Sequence, residues 1–224
     1  MPSDLDILNI DFHFHSKFDE NFILPRGNLN STGIDDIDKV ISAEICDGSK
    51  FIGFHPWYLN GYNIEYLRDK LMHDSELQVG EIGLDKRKGP DMSTQIYCFK
   101  EQFDLAISLN RDVSIHNVKA MDLLLPIFKE HIRNIQTNKI ILHAFNGTVS
   151  DVKALSRLEG VKDVFLYSFG LRETRLKQFS ALLKNIPRSK VRVESDGMSR
   201  EEWETVKEAR DIVEKYYENE GLTD

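Results

Sequence analysis

The sequence of 224 residues is 41% hydrophobic and carries 37 acidic against 29 basic residues, for a net charge of −8. That length lies near the lower end for an eight-stranded α/β barrel, and the hydrophobic content is enough for a sizeable core. The acidic charge argues against a long, non-specific grip on duplex nucleic acid, which needs a broad basic face, but it is compatible with local binding of one phosphate group.

Compartment and domain count follow from simple features of the chain. The two cysteines, Cys46 and Cys98, form no disulfide framework, which is typical of a reducing compartment. The N-terminus has no basic region of a signal peptide, and no apolar run approaches the length of a membrane span. We therefore expect a single domain over residues 1–224 and a cytoplasmic location.

Apolar runs without polar alternation recur along the chain and predict buried parallel strands. Eight such runs lie at residues 7–14, 40–45, 51–54, 77–84, 113–115, 139–145, 164–169 and 191–194. Apolar residues spaced three and four apart predict amphipathic helices between them. These helices lie at residues 96–106, 121–132, 176–183 and 203–213, the last behind a capping box of Ser199 and Glu202.

The segment 16–37 is the irregular part of this pattern. It holds Pro25, Gly27 and Gly33 and shows no helical period, so we expect a loop there in place of a first helix. Alternating strands and helices imply a parallel sheet. The sequence therefore predicts an α/β fold, a TIM (β/α)8 barrel that is distorted at this loop.

The first predicted strand ends in a pair of histidines. On a regular strand His13 and His15 point to one face with Asp11 in phase behind them, and Phe12 and Phe14 point to the other face. Two imidazoles side by side at a strand end can bind one divalent metal ion. Asp11 is then a candidate to orient one of the two imidazoles.

Further metal-binding side chains lie at the ends of other predicted strands. In a closed barrel the C-terminal ends of the strands converge on one mouth. The candidate ligands are His13, His15, Glu81, His116, His143 and Asp196. We expect two divalent ions, of Zn, Mn or Mg, that share one carboxylate. The predicted sets are His13, His15, Glu81 and Asp196 for one ion and Glu81, His116 and His143 for the other.

Such a pair of ions predicts hydrolytic chemistry. Two cations lower the pKa of a water molecule and stabilise both the attacking and the leaving oxygen. Asp196 is the natural proton acceptor, so Asp196 and Glu81 are the candidate catalytic residues.

These residues also carry a resemblance to a known family. The motifs lie at residues 11–15, 53–56, 80–85, 115–116, 143–147 and 194–196. In this order and spacing they resemble the successive motifs of the TatD-like metal-dependent hydrolases, which are TIM barrels of the amidohydrolase superfamily. The resemblance implies metal-dependent hydrolysis, typically of DNA phosphodiesters, and supports the six ligand assignments residue by residue.

The chain departs from the family pattern outside the metal ligands. Trp57 follows Pro56 where the family commonly has a second histidine, and Val118 stands where it commonly has an arginine. Gly197 begins a segment that replaces a common Ala-Pro-Tyr run. The residues that would bind a substrate therefore differ from the usual pattern.

Candidate substrate-binding residues are His55, Lys86 and Lys119, each near a predicted strand end, where a cation or an imidazole could hold phosphate oxygens. Each has a structural alternative: a histidine in a tight X-Pro turn, a solvated charge run, or a lysine on a helix surface. Trp57 and Tyr58 could stack on a base or sugar, or simply pack.

The leading functional hypothesis is a deoxyribonuclease-like hydrolase of phosphodiester bonds whose partner is DNA or a nucleotide fragment. One alternative is a hydrolase of a lactone or cyclic amide that uses the same ions. Another is a catalytically silent barrel that acts as a binding partner. We expect neither a membrane nor an obligate protein partner.

Overall fold

The computed structural model describes residues 10–18, 24–136, 138–160 and 162–221. Within these residues eight parallel strands form one sheet in sequence order. The strands are β1 Asp11–Phe14, β2 Gly27–Asn30, β3 Lys50–Ile52, β4 Gln78–Asp85, β5 Val113–Val118, β6 Ile140–Leu142, β7 Phe165–Phe169 and β8 Val191–Val193.

The two edges of the sheet meet at the end of β1. The Asp196 N–H donates to His13 O (3.0 Å), and the His15 N–H donates to Gly197 O (2.9 Å). These bonds join β1 to the residues after β8 and curl the sheet into a TIM (β/α)8 barrel, which confirms the predicted fold.

Helices cover the outside of the barrel. Those described are α1 Ile34–Ser42, α2 Ile64–His73, α3 Met92–Ser108, α4 Met121–His131, α5 Val149–Glu159, α6 Leu171–Thr174, α7 Phe179–Leu183, α8 Arg200–Trp203 and α9 Thr205–Glu220. The apolar stripes predicted α3, α4 and α9 correctly, and α7 is shorter than predicted. Ser199 and Glu202 form the predicted capping box at the start of α8. None of the described helices has the length and apolarity needed to cross a bilayer.

The predicted second strand is wrong. Residues 40–45 belong to the end of α1 and the turn after it, because Ile37 and Val40 form the buried stripe of a helix. A short apolar run does not distinguish a buried strand from a buried helix segment. The real second strand, β2, lies in the segment expected to be a loop.

Strand β2 escaped prediction because its sequence is polar although all four residues are buried. The Asn28 side chain donates to Phe12 O (3.2 Å) and accepts from the Ser49 N–H (3.1 Å). The Asn30 side chain donates to Asn28 O (3.0 Å). Backbone partners thus replace the apolar packing by which buried strands are usually recognised.

The loop predicted over residues 16–37 is confirmed at residues 16–18 and 24–26, which are not helical, and is wrong at residues 34–37, where α1 begins. Residues 19–23 of that predicted loop lie outside the described residues.

The side chains of strand β1 do not alternate between the two faces of the sheet as expected. Its pairing with β2 is irregular between Asp11 and Phe14. Phe12 packs on Phe51, Ile141 and Leu166, which come from β3, β6 and β7 and can meet only inside the barrel. Phe14 instead packs outside the sheet, with its ring centroid 5.9 Å from that of Trp203. A bulge turns the strand between these two residues, so they do not share a face.

The N-terminal end of β7 is anchored by a buried ion pair. The Lys190 ammonium donates to the Glu159 carboxylate, and it lies 2.9 Å from Asp163 Oδ1. The other Glu159 oxygen accepts from the N–H groups of Val164 (2.9 Å) and Phe165 (3.0 Å). This network fixes α5 to the start of β7 at the end of the barrel opposite the mouth.

Replacing Lys190 with methionine should leave the buried Glu159 carboxylate without its cation. We expect the free energy of unfolding at neutral pH to fall by about 3 kcal/mol, measured by urea denaturation followed by circular dichroism. The control is Lys215→Met at an exposed position of α9, which should change that free energy by about 0.5 kcal/mol or less. Equal losses in the two variants would contradict the assignment.

The same ion pair should make stability depend on pH. Burial lowers the pKa of Lys190, but the hydrogen bonds to Glu159 and Asp163 outweigh burial and raise the pKa above its usual value of 10.5. The folded state holds the proton more tightly, so this stabilisation is complete below the usual pKa and is lost as the pH rises through the raised one. In matched urea titrations, the stability difference between wild type and Lys190→Met should therefore stay constant up to about pH 10 and shrink above that pH. A stability difference that stays constant or grows above that pH would contradict the role of the Lys190–Glu159 ion pair.

Candidate metal centre

The predicted ligands meet at the mouth of the barrel, around the carboxylate of Glu81. His13, His15, Glu81, His116 and His143 come from β1, β4, β5 and β6 or the residues just after them, and none is more than 8% exposed. Asp196 follows β8 and has a side chain that is 47% exposed. The structure thus brings six residues, spread over nearly the whole sequence, to one place.

One oxygen of Glu81 faces the histidine pair of β1. Glu81 Oε2 lies 3.3 Å from His13 Nε2 and 3.2 Å from His15 Nε2, and these two nitrogens are 3.2 Å apart. Asp196 Oδ1 lies 3.9 Å and 3.8 Å from the same two nitrogens. The first predicted ligand set therefore converges on one point.

The other oxygen of Glu81 faces a second histidine pair. Glu81 Oε1 lies 2.7 Å from His116 Nδ1 and 2.8 Å from His143 Nε2. Gly83 allows this closeness, because a Cβ on its positive-φ backbone would lie 1.9 Å from His116 O of the neighbouring strand. The second predicted ligand set is therefore assembled as well, with Glu81 common to both.

The donor set fits two divalent cations. Each cluster offers imidazole nitrogens and a carboxylate oxygen, which are ligands that Zn²⁺ and Mn²⁺ accept. Burial raises the pKa of Glu81, but the imidazoles, with His143 and His55 foremost, outweigh burial and hold that pKa well below its usual range. Glu81 is thus a buried, ionised carboxylate shared between two groups of imidazoles.

The second nitrogen of each histidine is held by a different partner. These contacts are His13 Nδ1 with Ser114 Oγ (3.0 Å), His15 Nδ1 with Asn30 O (2.9 Å), His116 Nε2 with Asp85 Oδ2 (3.3 Å), and His143 Nδ1 with Glu194 Oε1 (3.3 Å). Such partners fix the ring orientation and the tautomer of a metal-binding histidine. Sequence reasoning assigned these residues no role, although Asp85 and Glu194 both lie in the motifs that carried the resemblance.

Asp11 and His55, which were also predicted to take part in the site, lie next to the candidate ligands. Asp11 Oδ1 accepts from the N–H groups of Ser195 (2.9 Å) and His13 (3.3 Å), so it braces the backbone and not an imidazole. Burial raises the pKa of Asp11 to about 7. His55 Nδ1 accepts from the Trp57 N–H (3.1 Å), which places the proton of a neutral ring on Nε2, 3.2 Å from Glu81 Oε1.

A cleft of about 910 Å³ opens above these ligands, and His116, His143 and Asp196 lie on its floor. Basic side chains line it as well: Arg87, Lys119, Arg172 and Arg175. Lys119 was among the predicted substrate-binding residues, and the three arginines were not. Lys86 is not among the lining residues, and its ammonium donates to both oxygens of Asp122 (2.6 and 2.7 Å).

Comparison with known proteins agrees with this architecture. The chain is 29% identical over 160 residues to a protein of Enterocytozoon bieneusi (strain H348) named "Putative deoxyribonuclease TATDN1 homolog", covering 65% of this chain and 54% of that protein. It is 28% identical over 153 residues to the uncharacterized metal-dependent hydrolase YabD of Bacillus subtilis (strain 168), covering 65% of this chain and 56% of that protein. The chain thus matches about half the length of these curated relatives.

The fold is shared with a solved structure. YJJV, a TatD homolog from Escherichia coli K12, superimposes with a TM-score of 0.75 at 18% identity, covering 95% of this chain and 90% of that one. The family model described as TatD related DNase matches residues 10–219. Because that match spans nearly the whole sequence, the chain belongs to the TatD related DNase family.

Proposed function

We propose that this protein is a metal-dependent hydrolase that cleaves phosphodiester bonds in DNA or in nucleotide fragments. The observation that carries the proposal is the position of the Glu81 carboxylate between two histidine pairs. Each of its oxygens faces one pair, at distances of 2.7 to 3.3 Å. The proposed ligands are His13, His15, Glu81, His116, His143 and Asp196. The names of the relatives, a deoxyribonuclease homologue and a metal-dependent hydrolase, support the same reaction class.

Bound divalent cations would supply a water of lowered pKa and would stabilise charge on the attacking and leaving oxygens. Asp196 is the proposed proton acceptor because its half-exposed carboxylate lies beside the first histidine pair and lines the cleft. The Asp196 N–H bond to His13 O holds that carboxylate over the barrel mouth. Glu81, which is buried and ionised, orients the surrounding imidazoles.

The charges around the cleft favour an anionic substrate over a neutral lactone or amide. Arg87, Lys119, Arg172 and Arg175 give the cleft a local positive field on an otherwise acidic protein. Glu173 and Glu202 also line the cleft, but Glu173 accepts from the Gly170 N–H, and Glu202 accepts from the N–H groups of Met198 and Ser199. Arg175 also pairs with Glu208 (3.4 Å), and Arg172 Nε lies 4.0 Å from Glu173 Oε1, so these two arginines contribute less to the field than their charges alone would give.

Replacing Glu81 with glutamine should remove the charge shared by both histidine pairs while keeping the side-chain volume. We expect less than one equivalent of bound Zn²⁺ or Mn²⁺ after reconstitution, against two for wild type, and a loss of hydrolysis of at least about 100-fold. Metal analysis and assays on single-stranded and duplex DNA with Mg²⁺, Mn²⁺ or Zn²⁺ measure the two effects, and a panel of phosphomonoesters and lactones defines the bond cleaved.

The control for this change is Glu130→Gln, which alters an exposed glutamate paired with Lys100 and should leave both quantities unchanged. Undiminished hydrolysis by Glu81→Gln would show that another site, or a contaminant, is responsible. Wild-type protein that binds less than one equivalent would favour the catalytically silent barrel.

Replacing Lys119 with alanine should raise KM for single-stranded DNA several-fold and leave kcat nearly unchanged. The physical reason is the loss of one phosphate contact, which should also lower the salt dependence of binding by about one unit of log–log slope. Steady-state kinetics at several salt concentrations measure both effects. Lys86→Ala is the matched comparison, since the Lys86 ammonium is bound to Asp122. If Lys86→Ala raises KM more than Lys119→Ala, the roles of the two lysines are reversed.

A further inference from the structure

Asp85 lies behind His116, on the side of the ring away from Glu81, and Trp57 contacts both of them. We propose that Asp85 and Trp57 form a brace that holds His116 in the tautomer and orientation of a metal ligand. The brace acts on the second ligand set, Glu81, His116 and His143, and the inference rests on the metal centre of the proposed function. Asp85 and Trp57 are thereby positioning residues, and Trp57 is not a stacking platform for substrate.

The Asp85 carboxylate is buried and fully occupied by donors. Its Oδ2 accepts from Trp57 Nε1–H (2.6 Å) and lies 3.3 Å from His116 Nε2. Its Oδ1 accepts from the backbone N–H groups of Arg87 (2.6 Å) and Lys88 (3.2 Å). The Gln95 side chain also binds the Asp85 backbone, accepting from its N–H (2.8 Å) and donating to its C=O (3.1 Å). The carboxylate therefore has little freedom to move.

This fixed carboxylate gives Nε2 of His116 a permanent hydrogen-bond acceptor. A neutral imidazole has one N–H and one lone pair, and an ionised carboxylate only accepts. Both nitrogens of His116 face carboxylates, Nδ1 with Glu81 Oε1 at 2.7 Å and Nε2 with Asp85 Oδ2 at 3.3 Å. A cation bound at Nδ1 would take the lone pair there, and Asp85 would then accept the N–H on Nε2, so Asp85 stabilises the metal-binding tautomer.

Trp57 completes the brace from the cleft side. Its indole N–H is a donor only, so it pairs with the same Asp85 oxygen as His116 and holds that oxygen in place. The Trp57 ring packs against His55 and His116, at centroid distances of 4.7 and 5.4 Å. The Lys88 ammonium lies 3.5 Å from the centre of the same ring, so a stacked base would have to displace it.

The geometry gives Asp85→Asn a specific defect. Four donors share the two oxygens of Asp85, whereas an asparagine offers one oxygen and one NH₂ group. If the amide oxygen stays with the loop N–H groups of Arg87 and Lys88, the NH₂ group faces Trp57 and His116. His116 must then accept on Nε2 and carry its proton on Nδ1, where it blocks metal binding.

We expect Asp85→Asn to weaken binding of the second Zn²⁺ equivalent by about 10- to 100-fold, with a smaller effect on the first. Calorimetric titration of Zn²⁺ into the chelator-treated protein measures these affinities, and long-range ¹H–¹⁵N spectra of the Zn²⁺-loaded protein report the His116 tautomer. The control is Asp91→Asn, which alters an exposed aspartate that caps α3 and contacts no histidine of the site. It should leave both affinities unchanged.

Trp57→Phe separates the brace from base stacking. The brace predicts a several-fold loss of affinity for the second ion and an unchanged KM for single-stranded DNA. Stacking alone predicts unchanged metal affinity, because phenylalanine keeps an aromatic face, and that result would overturn the inference. This variant also decides the question if Asp85→Asn does not fold.

The outcomes separate the brace from the centre on which it rests. Wild-type protein that binds no Zn²⁺ refutes the proposed metal centre itself. Wild-type protein that binds two equivalents, together with an Asp85→Asn variant that has the same two affinities and the same His116 tautomer, refutes the brace and leaves the centre intact.

Discussion

The buried carboxylate of Glu81 is the constraint on which the rest of the site depends. A carboxylate taken out of water costs several kcal/mol unless charge and hydrogen bonds compensate it. Here the compensation comes from imidazoles on both of its oxygens, His13 and His15 on one side and His116 and His143 on the other. Those histidines belong to three different strand ends, so the barrel must close before the carboxylate is satisfied.

Outside the histidines lies a ring of partners that makes the centre rigid. Ser114, the carbonyl of Asn30, Asp85 and Glu194 each hold the nitrogen that points away from Glu81. Two of these partners, Asp85 and Glu194, are themselves buried carboxylates. Burying a carboxylate costs desolvation free energy, so their use here indicates that the orientation of the imidazole rings matters. The proposed brace extends this ring by one residue, because Trp57 holds Asp85 as Asp85 holds His116.

The cleft gathers basic side chains on an otherwise acidic protein. The chain carries a net charge of −8, yet Arg87, Lys119, Arg172 and Arg175 lie together around the mouth. Like charges elsewhere on the surface repel polyanions as a whole, whereas a local field acts over about one Debye length, roughly 10 Å. Under the proposed function, such a field would favour a short or single-stranded segment over a long duplex.

The pattern of the sequence was enough to predict the barrel class and the six candidate metal ligands, because functional side chains of parallel strands collect at one end of the sheet and buried strands appear as apolar runs. It misplaced β2 and α1, since the side-chain amides of the buried Asn28 and Asn30 donate to backbone carbonyls, and sequence periodicity does not reveal such contacts. It placed Phe12 and Phe14 on one face because a bulge leaves no mark in the pattern. The positions of Asp85 behind His116, of Lys86 beside Asp122 and of three arginines around the cleft became visible in the folded molecule alone. Such contacts join side chains from different elements, and their distances depend on how the strands and loops close around the barrel.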